Sequence, residues 1–442
     1  MKSTIHPIRW FYAALGLFGI ALFFQVASNR FLFADGVAFF LQVLTQQDFS
    51  HWDFPRQFAH HLTQWPAILA MRLGLKDVQA LAYLYGAGLF CVPLVTLASC
   101  AWMTPAWSLW YLLFPTFGFA YLSLNSALFV ISESHIAMGC FWVVFFSVFF
   151  LPRSAWQAAA AGIVSLFATR LYESFSILGL FLTALAVQRL WQARFQLPVW
   201  RRLQLGWVAG CGLISSGIGT YWMLFSPDRN VEKVGLGKIL VELALDPNTL
   251  MSSAIAAVFV GLFVLHVEGV VSRLGLLLAL VAGTLLGLLP LLDGRFLPIT
   301  LHYPARVLNI ALPLAFGLLM LWLEQQRRTA APGLIWVPLT LMLAWNTSWQ
   351  VAVSGAWCHY TRGVDAALAD GRGLMDLRGT RVADEPFNWD WTLPSLSIVL
   401  QALEGPEVHA IIKASRPGWQ PFDPNAPSDL PDLHAFGVRY RW

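Results

Sequence analysis

Charged residues are scarce in this 442-residue chain: Asp, Glu, Lys and Arg make up 12% of it, whereas hydrophobic residues make up 57%. The mean hydropathy is +0.61. A water-soluble core cannot hide so many apolar side chains without leaving large apolar patches on the surface. The shortage of charge therefore excludes a soluble globular protein and predicts an integral membrane protein.

Strict alternation of apolar and polar residues, the pattern of a membrane β-barrel, is also lacking. Apolar runs of about 20 residues recur instead, which predicts an all-α polytopic protein. The net charge of +4 gives no support to nucleic-acid binding. From His359 onward 8 Lys and Arg face 11 Asp and Glu, so the membrane part, with 20 against 13, holds the whole basic excess. Those basic residues lie in loops, as membrane topology requires.

Cysteine is rare as well, with five residues in the chain. Four of them fall in apolar segments, so neither a disulfide framework nor a metal cluster follows. His51, His60 and His61 lack the spacing of a zinc motif, and no Gly-rich phosphate loop is present. We predict no cofactor, with a divalent metal left open.

The apolar runs predict about 11 transmembrane helices. Lys2 and Arg9 precede the first span, and an Arg-rich loop follows the sixth, so the N-terminus is expected in the cytoplasm and the C-terminus outside. No cleavage pattern follows the first span, which we interpret as uncleaved. The predicted spans are about 10–27, 78–100, 106–123, 127–151, 156–168, 174–189, 204–225, 250–267, 274–292, 306–323 and 333–353.

Two domains are expected, a transmembrane domain at 1–354 and an external C-terminal domain at 355–442. The first external loop, residues 30–77, holds two amphipathic patterns at about 33–45 and 55–73, which predict interfacial helices. In the tail, LPSLSIVLQAL predicts a short helix, while Val408–Lys413 and the final VRYRW predict short strands. The tail is therefore expected to be a small α+β segment, either as a domain of its own or folded only against the membrane part.

Ionisable residues collect near the predicted external ends of the spans. Charges at membrane depth cost roughly 2.5 to 3.5 kcal/mol each on insertion scales, so they usually face a cavity or a partner. Clusters on one side of the membrane therefore indicate a polar cavity that opens outward. The candidates are Arg30, Asp35, Glu133, His135, Arg170, Glu173, Asp228, Arg229, Asp293, Arg295, His302 and Arg306.

Asp35 is the first candidate for a catalytic residue and Glu133 the second, each with a structural alternative. Asp35 is equally well placed to favour the start of an interfacial helix, and Glu133 to form a buried pair with Arg170 or His135. Glu173 is favoured as a within-turn partner of Arg170. Arg295 and Arg306, each taken by itself, are explained by side chains that extend to the lipid headgroups. His302 is explained as an interfacial histidine whose hydrogen bonds are satisfied.

The order of these features resembles the GT-C superfamily of polyprenyl-phosphate-dependent glycosyltransferases. The resemblance lies in the acidic residue after the first span (Asp35 in RFLFADG), the loop at 30–77, the many further spans and the external tail. Members often carry an acidic pair at this point, whereas Gly36 follows Asp35 here. The resemblance implies a bacterial inner-membrane enzyme that moves a sugar from a polyprenyl-phosphate donor to a glycan, lipid or protein acceptor in the periplasm.

The resemblance implies Asp35 as the base that deprotonates the acceptor hydroxyl, with Glu133 as the alternative. Arginine stays charged and binds phosphate through a bidentate fork, so Arg170, Arg295 or Arg306 would hold the leaving phosphate. The remaining substrate-binding candidates are Arg30, His135, Glu173 and His302. Two other classes stay open, a lipid or small-molecule transporter or flippase and a non-catalytic assembly subunit. One-sided charges and the lack of an internal repeat count against a transporter.

Overall fold

The computed structural model describes residues 7–50, 56–125, 133–193, 196–225, 272, 302–326, 336–376, 381–384, 387–388, 390–414, 422–424, 426 and 429–441. This part of the chain is mostly helical. In chain order the α-helices are α1 Pro7–Ala27, α2 Asp35–Gln46, α3 Gln57–Arg72, α4 Val78–Phe90, α5 Val92–Met103, α6 Leu113–Asn125, α7 Glu133–Phe150, α8 Ala155–Ala168, α9 Phe175–Ala193, α10 Val199–Phe225, α11 His302–Gln325, α12 Trp336–Ala369 and α13 Leu393–Glu404.

Three of the described helices are long and apolar enough to cross a membrane: Trp10–Ala27, Glu133–Phe150 and Phe175–Gln192. A fourth crossing results if the bent pair of α4 and α5 is taken as one membrane span. The all-α membrane class is therefore supported, while eleven spans remain a prediction. The predicted spans at 250–267 and 274–292 lie outside the described residues.

The span predicted at 78–100 is divided into α4 and α5, which meet at Cys91 with a bend of 47°. Pro93 is the second residue of α5. Proline has no backbone N–H and clashes with the preceding turn, so it favours a helix start over a helix interior. The predicted range is therefore covered by two helices with a break at Cys91.

The end of the bundle at which α7 and α9 begin is called the upper end below. At the opposite end Arg189 of α9 pairs with Glu324 of α11. Both residues lie near the C-terminal ends of their helices, so α9 and α11 run in the same direction. The first residues of α11 therefore also lie at the upper end.

Helix α3 has its polar side inside the protein and part of its apolar side outside. Gln64 and His60 are buried, whereas Trp65, Leu69 and Leu73 are exposed. A helix on the surface of a water-soluble protein shows the reverse arrangement. This orientation agrees with the predicted interfacial helix at 55–73. Gly88 of α4 allows the close crossing with α3, because a Cβ there would lie 2.0 Å from the carbonyl oxygen of Thr63.

The predicted interfacial helix at 33–45 is α2, and it is covered by protein. Phe40 contacts Tyr85 of α4 at a ring-centroid distance of 5.2 Å, and α13 of the tail packs on α2. Apolar residues of α2, α4, α12 and α13 form one hydrophobic core. Helix α12 also continues past the expected boundary at 354. The tail thus packs against the first loop through a shared core.

The tail contains the predicted helix, α13, and the predicted strands. Strand β1 (Gly373–Met375) pairs in parallel with β3 (Ala410–Ile412), and β2 (Glu407–Val408) pairs in parallel with β4 (Arg439–Tyr440). The Gln401 side chain of α13 accepts a hydrogen bond from the His409 N–H and donates to the Ala410 carbonyl. The α+β prediction for the tail is confirmed, and β1 is an addition to it.

Candidate functional site

Charged side chains from three separate parts of the chain meet at the upper end. Glu133 is the first residue of α7 and is 8% exposed. Glu173 lies in the turn between α8 and α9, and Arg56 lies immediately before α3. An apolar helix bundle thus holds two carboxylates and an arginine at one end, where they are largely shielded from solvent.

Arg56 and Glu173 form the strongest described ion pair of this group. The Nε and Nη2 atoms of Arg56 donate to Oε1 of Glu173 at 2.9 and 2.7 Å, and the guanidinium also lies over the Tyr172 ring. Burial opposes the charge on Arg56, but the carboxylates of Glu173 and Glu133 raise its pKa overall. The favoured pairing of Glu173 with Arg170 was wrong, because Arg56, immediately before α3, pairs with Glu173 instead.

His60 of α3 lies within a network of polar side chains. The Ser50 N–H donates to Oε1 of Gln64 at 2.9 Å, which fixes the orientation of that amide. The Gln64 Nε2 atom then donates to Oγ of Ser50 and to Nδ1 of His60, at 2.7 and 3.0 Å. Since Nδ1 of His60 accepts a hydrogen bond, the ring proton belongs on Nε2.

The Nε2 atom of His60 faces Glu133 and lies 4.0 Å from its Oε1. Within the described part of the chain, Nε2 makes no hydrogen bond. Burial first, and then the charges of Arg56 and His61, lower the pKa of His60 to about 3. His60 is therefore neutral at pH 7, with its proton on the ring nitrogen that lies 4.0 Å from the carboxylate. The expected partners of Glu133, Arg170 and His135, give way to His60.

Arg170 lies beside this group and contacts the start of α3. Its Nη2 atom donates to Oε1 of Gln57 at 2.6 Å, and its guanidinium lies over the Phe58 ring. Its backbone carbonyl accepts from the Phe58 N–H. Burial lowers the pKa of Arg170. These contacts fix α3 against the turn that carries Glu173.

Asp35 is the first residue of α2 and is partly buried. A carboxylate in the first turn of a helix is favourable. The preceding residue, Ala34, has φ 51° and ψ −131°, a conformation that non-glycine residues rarely adopt. Helix α2 also contacts the side chains around Glu133, because the Phe39 ring of α2 packs edge-on against the His60 ring at 4.6 Å.

The other candidates are placed differently. Arg30 faces α12, where its Nη1 donates to the carbonyl of Gln350 at 3.3 Å. His135 is buried in α7, and its Nδ1 has no hydrogen-bond partner among the described residues. The backbone at His302 and Arg306 forms the first turns of α11, but their side chains, like Arg295, Asp228, Arg229 and Asp293, lie outside the described residues.

Arg56 and Gln64 were not among the predicted site residues, and His60 was considered only as a metal ligand. The signal for all three is their spacing, because residues four apart on a helix share one face. Residues 56, 60 and 64 thus form one polar stripe along α3. Their partners, Glu173 and Glu133, are more than 70 residues away in sequence, so the stripe alone could not identify them.

Within the described residues, no three His, Cys, Asp or Glu side chains are placed to hold a metal ion together. Comparison with known protein families, with curated proteins and with solved structures finds no match for this chain. The arrangement at the upper end therefore carries the argument about function.

Proposed function

We propose that this chain is a membrane glycosyltransferase that moves a sugar from a polyprenyl-phosphate donor to an acceptor hydroxyl at the outer face of a bacterial inner membrane. One observation carries the proposal: Glu133, Glu173, Arg56 and Arg170 gather at one end of an apolar helix bundle. Carboxylates and arginines held at the membrane boundary are the groups that a lipid phosphate donor and a hydroxyl acceptor require.

Glu133 is the base that we favour, with Asp35 as the alternative. Glu133 is buried at the start of a membrane helix, and Nε2 of His60 lies 4.0 Å from its Oε1, beyond hydrogen-bond distance. The Glu133 carboxylate thus lies near a neutral imidazole and in the field of the Arg56 charge, and in the proposal one of its oxygens accepts the proton of the acceptor hydroxyl. A buried carboxylate in such surroundings suits proton abstraction.

The proposed reaction is one inverting displacement. Glu133 accepts the proton of the acceptor hydroxyl as its oxygen attacks the anomeric carbon of the sugar. The bond between that carbon and the phosphate oxygen breaks, and its electron pair leaves with the polyprenyl phosphate. The products are the glycosylated acceptor, with inverted anomeric configuration, and the free lipid phosphate.

The leaving phosphate gains negative charge, which arginine stabilises through paired N–H donors. Arg170 is the nearest described candidate to the Glu133 group, since Arg56 is already paired with Glu173. Arg306, in the second turn of α11, and Arg295 are the further candidates from the sequence. The apolar helices would hold the prenyl tail.

The proposed orientation has the upper end on the periplasmic side. The described arginines at the lower end include Arg153, which follows α7, Arg201, which donates to the Pro152 carbonyl, and Arg189, which pairs with Glu324. Cytoplasmic loops carry an excess of basic residues. This distribution supports a cytoplasmic lower end and a periplasmic tail.

Mass spectrometry of lipids and surface glycans tests the proposal. Cells that lack the gene are compared with cells that express the wild type, Glu133→Gln or Asp48→Asn. We expect the wild type to restore a glycan or lipid larger by one sugar. Asp48→Asn should do the same, because Asp48 is an exposed carboxylate that pairs with Arg72. Glu133→Gln should accumulate the donor lipid that still carries its sugar. If all four strains have the same glycans and lipids, the proposal is wrong.

A further inference from the structure

Arg30 is a buried arginine with an incomplete set of partners. It lies in the short turn Arg30–Leu32 after α1 and is 1% exposed. Its Nη1 atom donates to the backbone carbonyl of Gln350 on α12. The Gln350 side chain is occupied separately, because its Oε1 accepts from Nε2 of Gln25 at 2.9 Å. One edge of the guanidinium thus contacts α12.

The other edge of Arg30 has no partner among the described residues. Its Nε and Nη2 atoms are buried and make no hydrogen bond to any described residue, and no described carboxylate lies within ion-pair distance. Burial lowers the pKa of Arg30 to about 9, so the side chain keeps its charge at pH 7. A buried charge without a counter-ion is strongly unfavourable, which indicates that an anion completes this environment.

Two more unpartnered donors lie on the same side of α12. Ser354 follows Gln350 by one helical turn, and Trp357 by two, so the three residues share one face. That face meets the turn after α1, because the Trp357 ring contacts the Phe33 ring at 5.8 Å. The Ser354 Oγ and Trp357 Nε1 atoms are buried, and neither has a hydrogen-bond partner among the described residues.

The unpaired atoms of Arg30 have a specific shape. The N–H groups of Nε and Nη2 point the same way from one edge of the planar guanidinium, and this fork matches two oxygens of one carboxylate or phosphate group. The Ser354 hydroxyl and the Trp357 indole N–H add donors that suit the same oxygens. We propose that Arg30, Ser354 and Trp357 form a buried binding site for one small oxyanion.

The ligand is a small diffusible ion of the phosphate or carboxylate class and not a lipid carrier. Arg30, Ser354 and Trp357 are each almost completely buried, so a headgroup with an attached prenyl chain has no described exit from the site. The oxyanion would join the end of α1 to α12, the helix that leads into the tail. The inference does not depend on the proposed glycosyl transfer.

Thermal unfolding of the purified full-length protein in detergent tests the site. Sodium phosphate and sodium acetate are titrated at constant ionic strength, with sodium chloride as the balancing salt, and Tm is followed by tryptophan fluorescence. A ligand that binds the folded state raises Tm with saturation. We expect saturation for the wild type with at least one oxyanion, and an apparent Kd weaker by about tenfold or more in Arg30→Met.

Arg72→Met is the matched control, since Arg72 is an exposed arginine paired with Asp48, and it should keep the wild-type response. Ser354→Ala and Trp357→Phe retain the charge of Arg30 and remove one donor each, so each should weaken Kd by about fivefold even if Arg30→Met does not fold. The inference is overturned if neither oxyanion gives a saturable response, if the site variants respond like the wild type, or if only added polyprenyl phosphate raises Tm.

Discussion

Arg56 and Glu173 are 117 residues apart in sequence, yet two hydrogen bonds join the guanidinium of Arg56 to one carboxylate oxygen of Glu173. The pair links the start of α3 to the turn between α8 and α9. The side chains are 19% and 18% exposed, so solvent screens the pair only weakly. Together with the Arg170 contacts, it holds the start of α3 against the bundle.

Removal of one partner leaves the other charge buried and unpaired. Arg56→Met and Glu173→Gln should each lower the free energy of unfolding by about 3 kcal/mol, and the double variant should cost less than the sum of the two. Chemical unfolding in detergent micelles measures all three. Arg72→Met breaks an exposed pair with Asp48, whose side chains are 63% and 51% exposed, and should cost less than about 1 kcal/mol. Additive effects of Arg56 and Glu173 would show that the pair is not coupled.

His60 should make the protein sensitive to mild acid. Its pKa in the folded protein is about 3, below about 6.5 in an unfolded chain. The unfolded state therefore binds the proton first as pH falls. Neutral His60 makes its full contribution to the free energy of unfolding above about pH 6.5. This contribution decreases as the pH falls toward 3, by up to about 1.4 kcal/mol per pH unit.

The matched variant is His60→Asn, whose Oδ1 can still accept from Gln64 but does not titrate. Tm measured from pH 7.5 to pH 4.5 should fall less steeply for His60→Asn than for the wild type. Parallel curves would mean that His60 does not stay neutral. The charged or titratable groups acting on His60 are Glu133, Arg56 and His61, and all three are retained in both proteins.

Ala34, next to Asp35, has a positive φ of 51°. Such backbone conformations cost about 1 to 3 kcal/mol for residues with a Cβ, and glycine adopts them readily. We expect Ala34→Gly to increase the free energy of unfolding by about 1 kcal/mol. Ala38→Gly is the control, because Ala38 is equally buried but lies inside α2, where glycine costs about 1 kcal/mol. Destabilisation of both variants to the same extent would contradict strain at Ala34.

The sequence predicted the local elements well. Helices α2 and α3 lie within two residues of the predicted ranges 33–45 and 55–73, and α13 coincides with LPSLSIVLQAL. These predictions depend on apolar spacing within one segment, which local propensity and amphipathicity largely determine. The gathering of Glu133, Glu173 and Arg170 at one end also followed from topology, since charges avoid the bilayer interior.

The partners of the charged residues could not be predicted in the same way. The sequence favours Arg170, three residues away, as the partner of Glu173, because only charges close together along the chain can be paired from spacing. Arg56 is its true partner and depends on how α3 crosses the bundle. Similarly, nothing local to α2 indicates that α13, more than 340 residues later, covers it. Such contacts are properties of packing and leave no periodic pattern in one segment.

The turnover of variants at Glu133 and Asp35 distinguishes which of the two carboxylates is the general base. The donor identified by mass spectrometry is supplied to purified protein in micelles, and release of polyprenyl phosphate is measured. Loss of a general base typically costs 10²- to 10⁴-fold, so we expect Glu133→Gln to lower kcat by about 100-fold or more. Asp35→Asn should have a smaller effect, and Asp48→Asn none.

Because glutamine keeps the size of Glu133, an unchanged Tm of Glu133→Gln shows that folding is intact. The reverse order of effects would assign the base to Asp35, and equal turnover in all variants would remove both carboxylates from the mechanism.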